Sequence, residues 1–389
     1  MTVHPLPLEG VRVADFGQLT AGANASAMLA DLGADVIKIE SARYLDLFRM
    51  WKPDGSEGWW NNSPHFHFTN RNKRGVSIDL KAPQGQALVL DLLRHCDILI
   101  ENFSRGVLDR LGLGYAAVSA VNPAIVYASI TSQGETGPYR SHRTYGSTLD
   151  AMSGISALMG YEGGRPEISG GDLNYPDQVV SLLATGITMA ALRKARESGR
   201  GAHLDIAQRE VVSFLLGEEI LAASDTGKAA APRGNREPGI HFQACLRARD
   251  TRWVAITLAT PSDAARLADL IGAAPTDPTD ALADWVGEQD ADAVVEALSA
   301  RGVAVAVSND GHAMLADRRL LGGSIAWSED GALLKGMPYR IANQPFAVRQ
   351  PAPDLGEHTD DILSTLLGLS RDEIAQLEAD GILSTAPAA

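Results

Sequence analysis

A carboxylate at the first turn of a long apolar helix is the residue of this chain best placed to do chemistry. Asp177 follows Tyr175 and Pro176 and precedes an apolar stretch that runs to Gly199. Proline suits a helix start and glycine a helix stop, so the pattern predicts a helix over residues 177–197. Unpaired N–H groups and the positive end of the helix dipole favour an ionised side chain there by roughly 0.3–1 kcal/mol. Two roles fit. Asp177 is a helix N-cap, or it is a carboxylate nucleophile held charged beside those amides. Asp172, in a Gly-Gly-Asp turn, is the rival carboxylate, and its side chain is expected to cap that turn.

Arg43, Arg71, Lys73, Arg74, Lys81, Arg105 and Arg110 gather near predicted strand ends and loops. In so acidic a chain they form either a solvated basic face or a phosphate pocket. His65-Phe66-His67 alternates as a strand does and would set two imidazoles on one side. With no Cys or clustered acid nearby, a metal site is not expected. Glu40, at the end of a predicted strand, is where a ribose-binding acid would sit. Yet Gly17-Gln18-Leu19-Thr20-Ala21-Gly22 lacks the G-x-G-x-x-G spacing that lets a pyrophosphate approach the backbone, so a nicotinamide or flavin site is not expected either. No G-x-S-x-G elbow occurs.

The elements that must position these residues follow from periodicity. Residues 11–16 (VRVADF) read as a buried strand, 22–32 as a small-residue helix and 35–39 as a second strand, together a βαβ unit. Residues 76–80, 85–95 and 97–100 give a second unit that ends at Glu101-Asn102-Phe103, and 125–130 is a further strand. The first half is thus α/β with a mainly parallel sheet, whose ligands bind beyond the carboxyl ends of the strands. After the long helix come a strand at 203–207 and an apolar helix from Val211. Between Ala222 and Gly239 the composition shifts to Ala, Gly, Pro and charge, which marks a crossing between domains. Residues 253–258, three Ala-rich helical stretches within 262–301, and 303–307 make a smaller α+β unit. The stretch 343–353 reads as a loop. Two helices end the chain, the second opened by the capping box Ser370-Arg371-Asp372-Glu373 and closed by Gly381.

At 389 residues, 45% hydrophobic and 21% charged, the chain can fill two domains. A net charge of −14 argues against nucleic acid as a partner. The two cysteines, Cys96 and Cys245, make neither a disulfide framework nor a metal site. With no signal pattern and no apolar run of membrane-spanning length, a cytoplasmic protein without membrane attachment is expected.

Taken in order, several segments resemble the family III CoA-transferases, the group that includes formyl-CoA and carnitine-CoA transferases and the 2-methylacyl-CoA racemases. They are LEGVRVADFGQLTAGA (8–23), LADLGADVIKIE (29–40), NRNKRGVSIDLK (70–81), DILIENFSRGVLDRLGL (97–113), NPAIVYASIT (122–131), GETGPY (134–139), YPD ending at Asp177, SGRGAHLDIAQRE (198–210) and LGEHTDDIL (355–363). The resemblance implies a large Rossmann-like domain built from residues 1–221 and 341–389, and a smaller inserted α+β domain at 222–340. It also implies a homodimer whose subunits interlock like linked rings, an arrangement sequence physics alone does not suggest.

By the same resemblance the catalytic aspartate falls on Asp177. The CoA contacts fall on Thr20 and Ala21, on Ile78, Asp79, Leu80 and Lys81, on Asn102 and Phe103, on Arg110, and on Arg143, Thr144 and Tyr145. The implied substrates are an acyl-CoA and a small carboxylic acid, with no metal or redox cofactor. The implied chemistry passes through an aspartyl mixed anhydride and an aspartyl-CoA thioester. Two departures narrow the substrates and the reaction. GNREPGIHFQ (234–243) has no glycine-run loop of the formyl-CoA transferase kind, and Tyr145 stands where the racemase branch has a histidine. A 2-methylacyl-CoA racemase is the alternative reading, and a non-catalytic CoA-binding protein is the third.

Overall fold

The computed structural model describes residues 5–51, 53, 55–171, 174–272, 278–317, 325–327, 333–341 and 347–388. Asp172 and residues 343–346 of the expected loop lie outside the described residues. The chain divides into two compact units, one of Met1–Ile155, Ile168–Leu221 and Gly323–Ala389, the other of Ser156–Glu167 and Ala222–Gly322.

The first unit is built on one parallel sheet. Its strands are β1 (Arg12–Asp15), β2 (Asp35–Glu40), β3 (Lys73–Ser77), β4 (Ile98–Glu101), β5 (Val126–Thr131) and β6 (Ala202–Ala207), in the order β3-β2-β1-β4-β5-β6. This is the doubly wound order, and the strand sequence reverses between β1 and β4, where ligands of such sheets enter. Val13 on β1 faces Val36 of β2 on one side and Ile98 of β4 on the other, which fixes the register at that point. The helices ahead of β6 are α1 (Ala21–Asp31), α2 (Pro64–Asn70), α3 (Pro83–Leu93), α4 (Val107–Arg110), α5 (Tyr115–Val121), α6 (Gly146–Ser153), α7 (Ile155–Leu158), which passes into the second unit at Ser156, and α8 (Tyr175–Ser198); Gln208–Leu215 follows β6. Two more, Thr359–Leu367 and Arg371–Ala379, end the unit, and Ser370 and Glu373 close the expected capping box.

Side chains alternate across the sheet, so each face has its own core. Ala14, Ile37, Val76 and Leu99 pack with α3 and the C-terminal helices. Val13, Val36, Ile98 and Val126 pack with α1 and α8. Helix α1 is buried along its whole length because its sequence, AGANASAMLAD, is nearly all small. Those small residues let α8 approach closely enough for Ser181 Oγ and Thr185 Oγ1 to donate to the Ala21 and Ala25 carbonyls, at 3.0 and 3.3 Å.

Two sequence-based expectations are corrected. His65-Phe66-His67 lies in α2, which Pro64 opens, and not in a strand. Three alternating residues cannot outweigh a helix-start proline. Strand β3 begins at Lys73, upstream of Val76, because its charged residues are neutralised by Asp15 of β1 and Asp35 of β2.

The second unit holds an antiparallel sheet of β7 (Phe242–Arg247), β8 (Trp253–Leu258) and β9 (Ala304–Ser308), ordered β7-β8-β9. Helices Thr279–Gly287 and Ala291–Ser299 place Leu282, Val286, Val294 and Leu298 in a core with Val254, Ile256 and Leu258. Where three helical stretches were expected, four helices occur among the described residues, the others being Pro261–Ala265 and Ala268–Ile271. No helix among the described residues is long and apolar enough to cross a membrane.

Candidate active site

Asn174, not Asp177, is the N-cap of α8, and Pro176 occupies the first turn. Asp177 therefore lies inside that turn, so its capping role is corrected. Three contacts set the entry of the helix. Asp150 of α6, fully buried, accepts from the Ser169 amide (2.8 Å) and hydroxyl (3.0 Å). Ser169 Oγ in turn accepts from the Tyr175 amide at 2.9 Å. Gly146, at the start of α6, faces Asn174 so closely that an added Cβ would stand 2.0 Å from Asn174 Oδ1. Only glycine fits there.

The Asp177 carboxylate is half-buried and has no hydrogen-bond or ion-pair partner among the described residues. Burial, and secondarily the charge of Asp150, raise its pKa from 3.8 to about 6. The dipole was expected to hold it ionised, but its contribution is below about 1 kcal/mol. A rise of this size corresponds to about 3 kcal/mol at 1.36 kcal/mol per unit. Desolvation wins. The result is a carboxylate still mostly charged at neutral pH yet poorly stabilised, a state suited to a nucleophile.

The other predicted site residues lie on segments that follow the carboxyl ends of the same sheet's strands. Thr20 caps α1 and Ala21 is its first residue, both buried just past β1. Asn102 and Phe103 follow β4, and Arg110 ends α4. Asn102 brackets Gln18, its Oδ1 accepting from the Gln18 amide at 2.7 Å and its Nδ2 donating to the Gln18 carbonyl at 2.9 Å. Ile78 to Lys81 leave β3, with Leu80 buried and the Lys81 side chain exposed. The amides of Ile78 and Asp79 donate to the carbonyls of Glu40 and Ile382, both at 2.8 Å. Those of Lys81 and Phe103 donate to the carboxylates of Asp79 (2.9 Å) and Glu101 (2.8 Å). Arg143 and Tyr145 are exposed, and Tyr145 is the N-cap of α6. Between them, Thr144 Oγ1 is buried with no hydrogen-bond partner among the described residues.

The basic cluster is divided. Arg43, Arg71, Lys73, Arg74 and Arg105 pair with Asp79, Asp31, Asp15, Asp35 and Glu135. Arg71 and Lys73 are buried, so neither belongs to a solvated face or a phosphate pocket. Burial lowers Lys73 to about 8, against the opposing pull of Asp15. Of the cluster, Lys81 and Arg110 have no ion-pair partner among the described residues, and neither has Arg143, which leaves all three open to an anionic ligand.

Glu40 holds Arg49 instead of a ribose, through contacts of 2.9 Å (Oε1 to Nε) and 2.8 Å (Oε2 to Nη2). His67 Nε2 lies 2.8 Å from the Asn61 carbonyl, and the His65 ring lies against Phe48 and Trp51. Among the described residues no group of three or more His, Cys, Asp or Glu side chains is arranged to hold a metal ion.

Asp150, Ser169, Asn174 and Gly146 were not singled out from sequence. An Asn followed by Tyr-Pro is an N-cap signal that would have found Asn174. Nothing local marks Asp150, whose importance comes from the Ser169 it meets.

Comparison with known proteins identifies the family. The profile of the family described as CoA-transferase family III matches residues 8–359. The chain is 31% identical to the succinyl-CoA–D-citramalate CoA-transferase of Chloroflexus aurantiacus, over 97% of this chain and 98% of that protein. It is 29% identical to the succinate–glutarate CoA-transferase of Agrobacterium fabrum, over 94% and 97% of the two. A solved CAIB/BAIF family protein from Brucella suis superposes with a TM-score of 0.84 at 27% identity, covering 93% of this chain and 100% of that one. A hypothetical protein of Mycobacterium tuberculosis, at 24% identity and a TM-score of 0.76 over 92% and 99% of the two chains, shares the fold. This chain belongs to family III of the CoA-transferases.

Proposed function

We propose that the protein moves CoA from an acyl-CoA donor to a free carboxylic acid with Asp177 as the nucleophile. The isolation of the Asp177 carboxylate carries this reading. Asp15, Asp31 and Asp46 are buried and paired with lysine or arginine, as structural carboxylates are. Asp177 has no such partner, and its surroundings disfavour its charge.

In the proposed cycle the carboxylate attacks the thioester carbonyl. The C–S bond breaks, giving a mixed anhydride and CoA thiolate. The thiolate then attacks the aspartyl carbonyl, leaving CoA as a thioester on Asp177 and releasing the donor acid. An acceptor carboxylate attacks that thioester, and the freed thiolate takes the acceptor's acyl group, which restores the carboxylate. In the first turn of α8 the Tyr175 amide is taken by Ser169, Pro176 has no N–H and Asn174 makes no side-chain cap bond, so the Asp177 amide is the first-turn donor available to the developing oxyanion. Succinyl-CoA is the proposed donor and a small dicarboxylic acid the acceptor, because the relatives above are named for succinyl-CoA, citramalate, succinate and glutarate.

The test is incubation with succinyl-CoA and a panel of dicarboxylic acids, with exchange followed by mass spectrometry. Hydroxylamine added during turnover should trap Asp177 as a hydroxamate. In deuterated water a 2-methylacyl-CoA should keep its α-hydrogen. Deuterium uptake there without acyl exchange would make the protein an isomerase and overturn the proposal. Since the ionised carboxylate is the reactive form, kcat/KM should rise with pH through about 6 and level off above it. A rate that holds level down to pH 4 would contradict the perturbed Asp177.

The proposed CoA contacts are those named from the resemblance. Because the amides of Ile78, Asp79 and Phe103 are already bonded internally, Lys81, Arg110 and Arg143 carry the phosphates. Arg110→Ala should weaken CoA binding by roughly 1–3 kcal/mol in calorimetry with the fold unchanged. Wild-type affinity would place the phosphates elsewhere.

We further propose an interlocked homodimer. Its support is the set of large apolar side chains exposed on α8 and on helices Gln208–Leu215 and Gly217–Thr226, among them Leu182, Leu183, Phe214 and Leu221. Surfaces of this kind mark association. Ultracentrifugation should show a dimer at micromolar concentration, and a stable folded monomer of 41.2 kDa would rule it out.

A further inference from the structure

The backbone between β1 and α1 is held at five of the six polar groups of residues 17–19. The Gly17 amide donates to Asp15 Oδ1 (2.8 Å), that of Gln18 to Asn102 Oδ1 (2.7 Å) and that of Leu19 to Asp46 Oδ1 (3.1 Å). The Gly17 carbonyl accepts from Lys38 Nζ, and the Gln18 carbonyl from Asn102 Nδ2 at 2.9 Å. Two ion pairs of zero side-chain exposure support these contacts, Lys38–Asp46 at 2.9 Å and Lys73–Asp15 at 2.7 Å. Lys73 also donates to the Ala23 carbonyl and to Asn70 Oδ1, both at 2.8 Å, which ties α1 to the same cage.

Two features show that the cage imposes a shape. Leu19 has φ of +56°, in the left-handed region that residues other than glycine rarely occupy and keep only where their surroundings over-determine it. Four wholly buried charges are also a poor source of stability, since apolar residues of similar volume serve as well or better. They do fix position. The loop is closed on α1 as well, because a Cβ on Gly17 would stand 2.4 Å from the Gly22 carbonyl carbon.

We propose that Lys38, acting with Asp46, is a positioning residue for CoA transfer. Neither side chain reaches solvent, so neither touches substrate. The pair holds residues 17–19 in the conformation that presents Thr20 and the start of α1 to acyl-CoA. This inference rests on the function and contacts proposed above.

The test uses the full chain carrying Lys38→Met together with Asp46→Asn. Both charges leave together, and the new carboxamide oxygen can still accept from the Leu19 and Phe48 amides. KM for acyl-CoA should rise on the order of tenfold or more while kcat changes little, the pattern of a misplaced binding loop. Amides 17–19 should exchange with deuterium faster while the rest of the sheet stays protected. Adding Leu19→Asn, a residue that tolerates the left-handed region, should recover part of KM. A general loss of stability would not be mended that way. If the double variant fails to fold, Asp46→Asn alone is judged by the same readouts. Wild-type KM with wild-type loop exchange overturns the proposal, and so does a raised KM with unchanged exchange. Should the wild type move no CoA at all, the functional reading falls. Loop exchange and calorimetric CoA affinity then decide the positioning role.

Discussion

Asp177→Asn is expected to lower CoA exchange by about a thousandfold or more and, in the same protein, to raise the stability of the fold. The first effect follows from removing the proposed nucleophile. The second follows from the pKa rise from 3.8 to about 6. Because the folded state disfavours the ionised side chain, the penalty is absent well below 3.8, where both states are protonated. It grows as pH rises through 3.8 and is complete above about 6. Allowing for partial solvent screening, it amounts to about 1–2 kcal/mol at pH 8. Thermal unfolding at about pH 3 and about pH 8 should therefore show the variant equal to wild type at the lower pH and more stable at the higher. A variant less stable at pH 8 would assign Asp177 a structural role in opening α8.

Glu40→Ala should be among the most destabilising single changes in the first unit, at roughly 3–5 kcal/mol. Glu40 and Arg49 have side-chain exposures of 5% and 0%. Arg49 also stacks over the Phe66 ring at 3.6 Å and donates to the Pro353 carbonyl at 2.9 Å. Removing the carboxylate leaves that guanidinium buried with no charge partner among the described residues. Glu40→Ala with Arg49→Leu should recover much of the loss, since no uncompensated charge then remains. Urea denaturation of the three proteins measures this. A Glu40→Ala protein as stable as wild type would show that the pair does not sustain the fold.

Much of the sheet was legible because VRVADF, DVIKIE and DILIE are short apolar runs bounded by turn residues, and a parallel sheet buries such runs on both faces. Its edge was harder to read. Lys73 and Arg74 open β3 as charged residues, and only the distant Asp15 and Asp35 make them compatible with a strand. The same distance effect misled the reading of the basic residues, several of which serve acids of this chain. At the site, the position of Asp177 at a helix start was readable from Tyr-Pro-Asp. Its pKa was not, because the opposing Asp150 and the burial come from other segments. Leu19 carries no local mark of its left-handed backbone, since the groups that enforce it stand on β1, on β2 and on the segments after β2 and β4.

Strand β3 is an edge of the sheet, and its open side is closed by residues encoded far downstream. The Gly75 carbonyl accepts from the His358 amide at 2.9 Å, the Ser77 amide donates to Thr359 Oγ1 at 3.4 Å, and Ile78 bridges to Leu383. On the ribosome, β3 emerges about 280 residues before that cover exists. At 5–20 residues per second the interval is roughly 15–55 s. Throughout it the nascent chain carries an unpaired strand edge, the kind of surface that templates pairing with other chains.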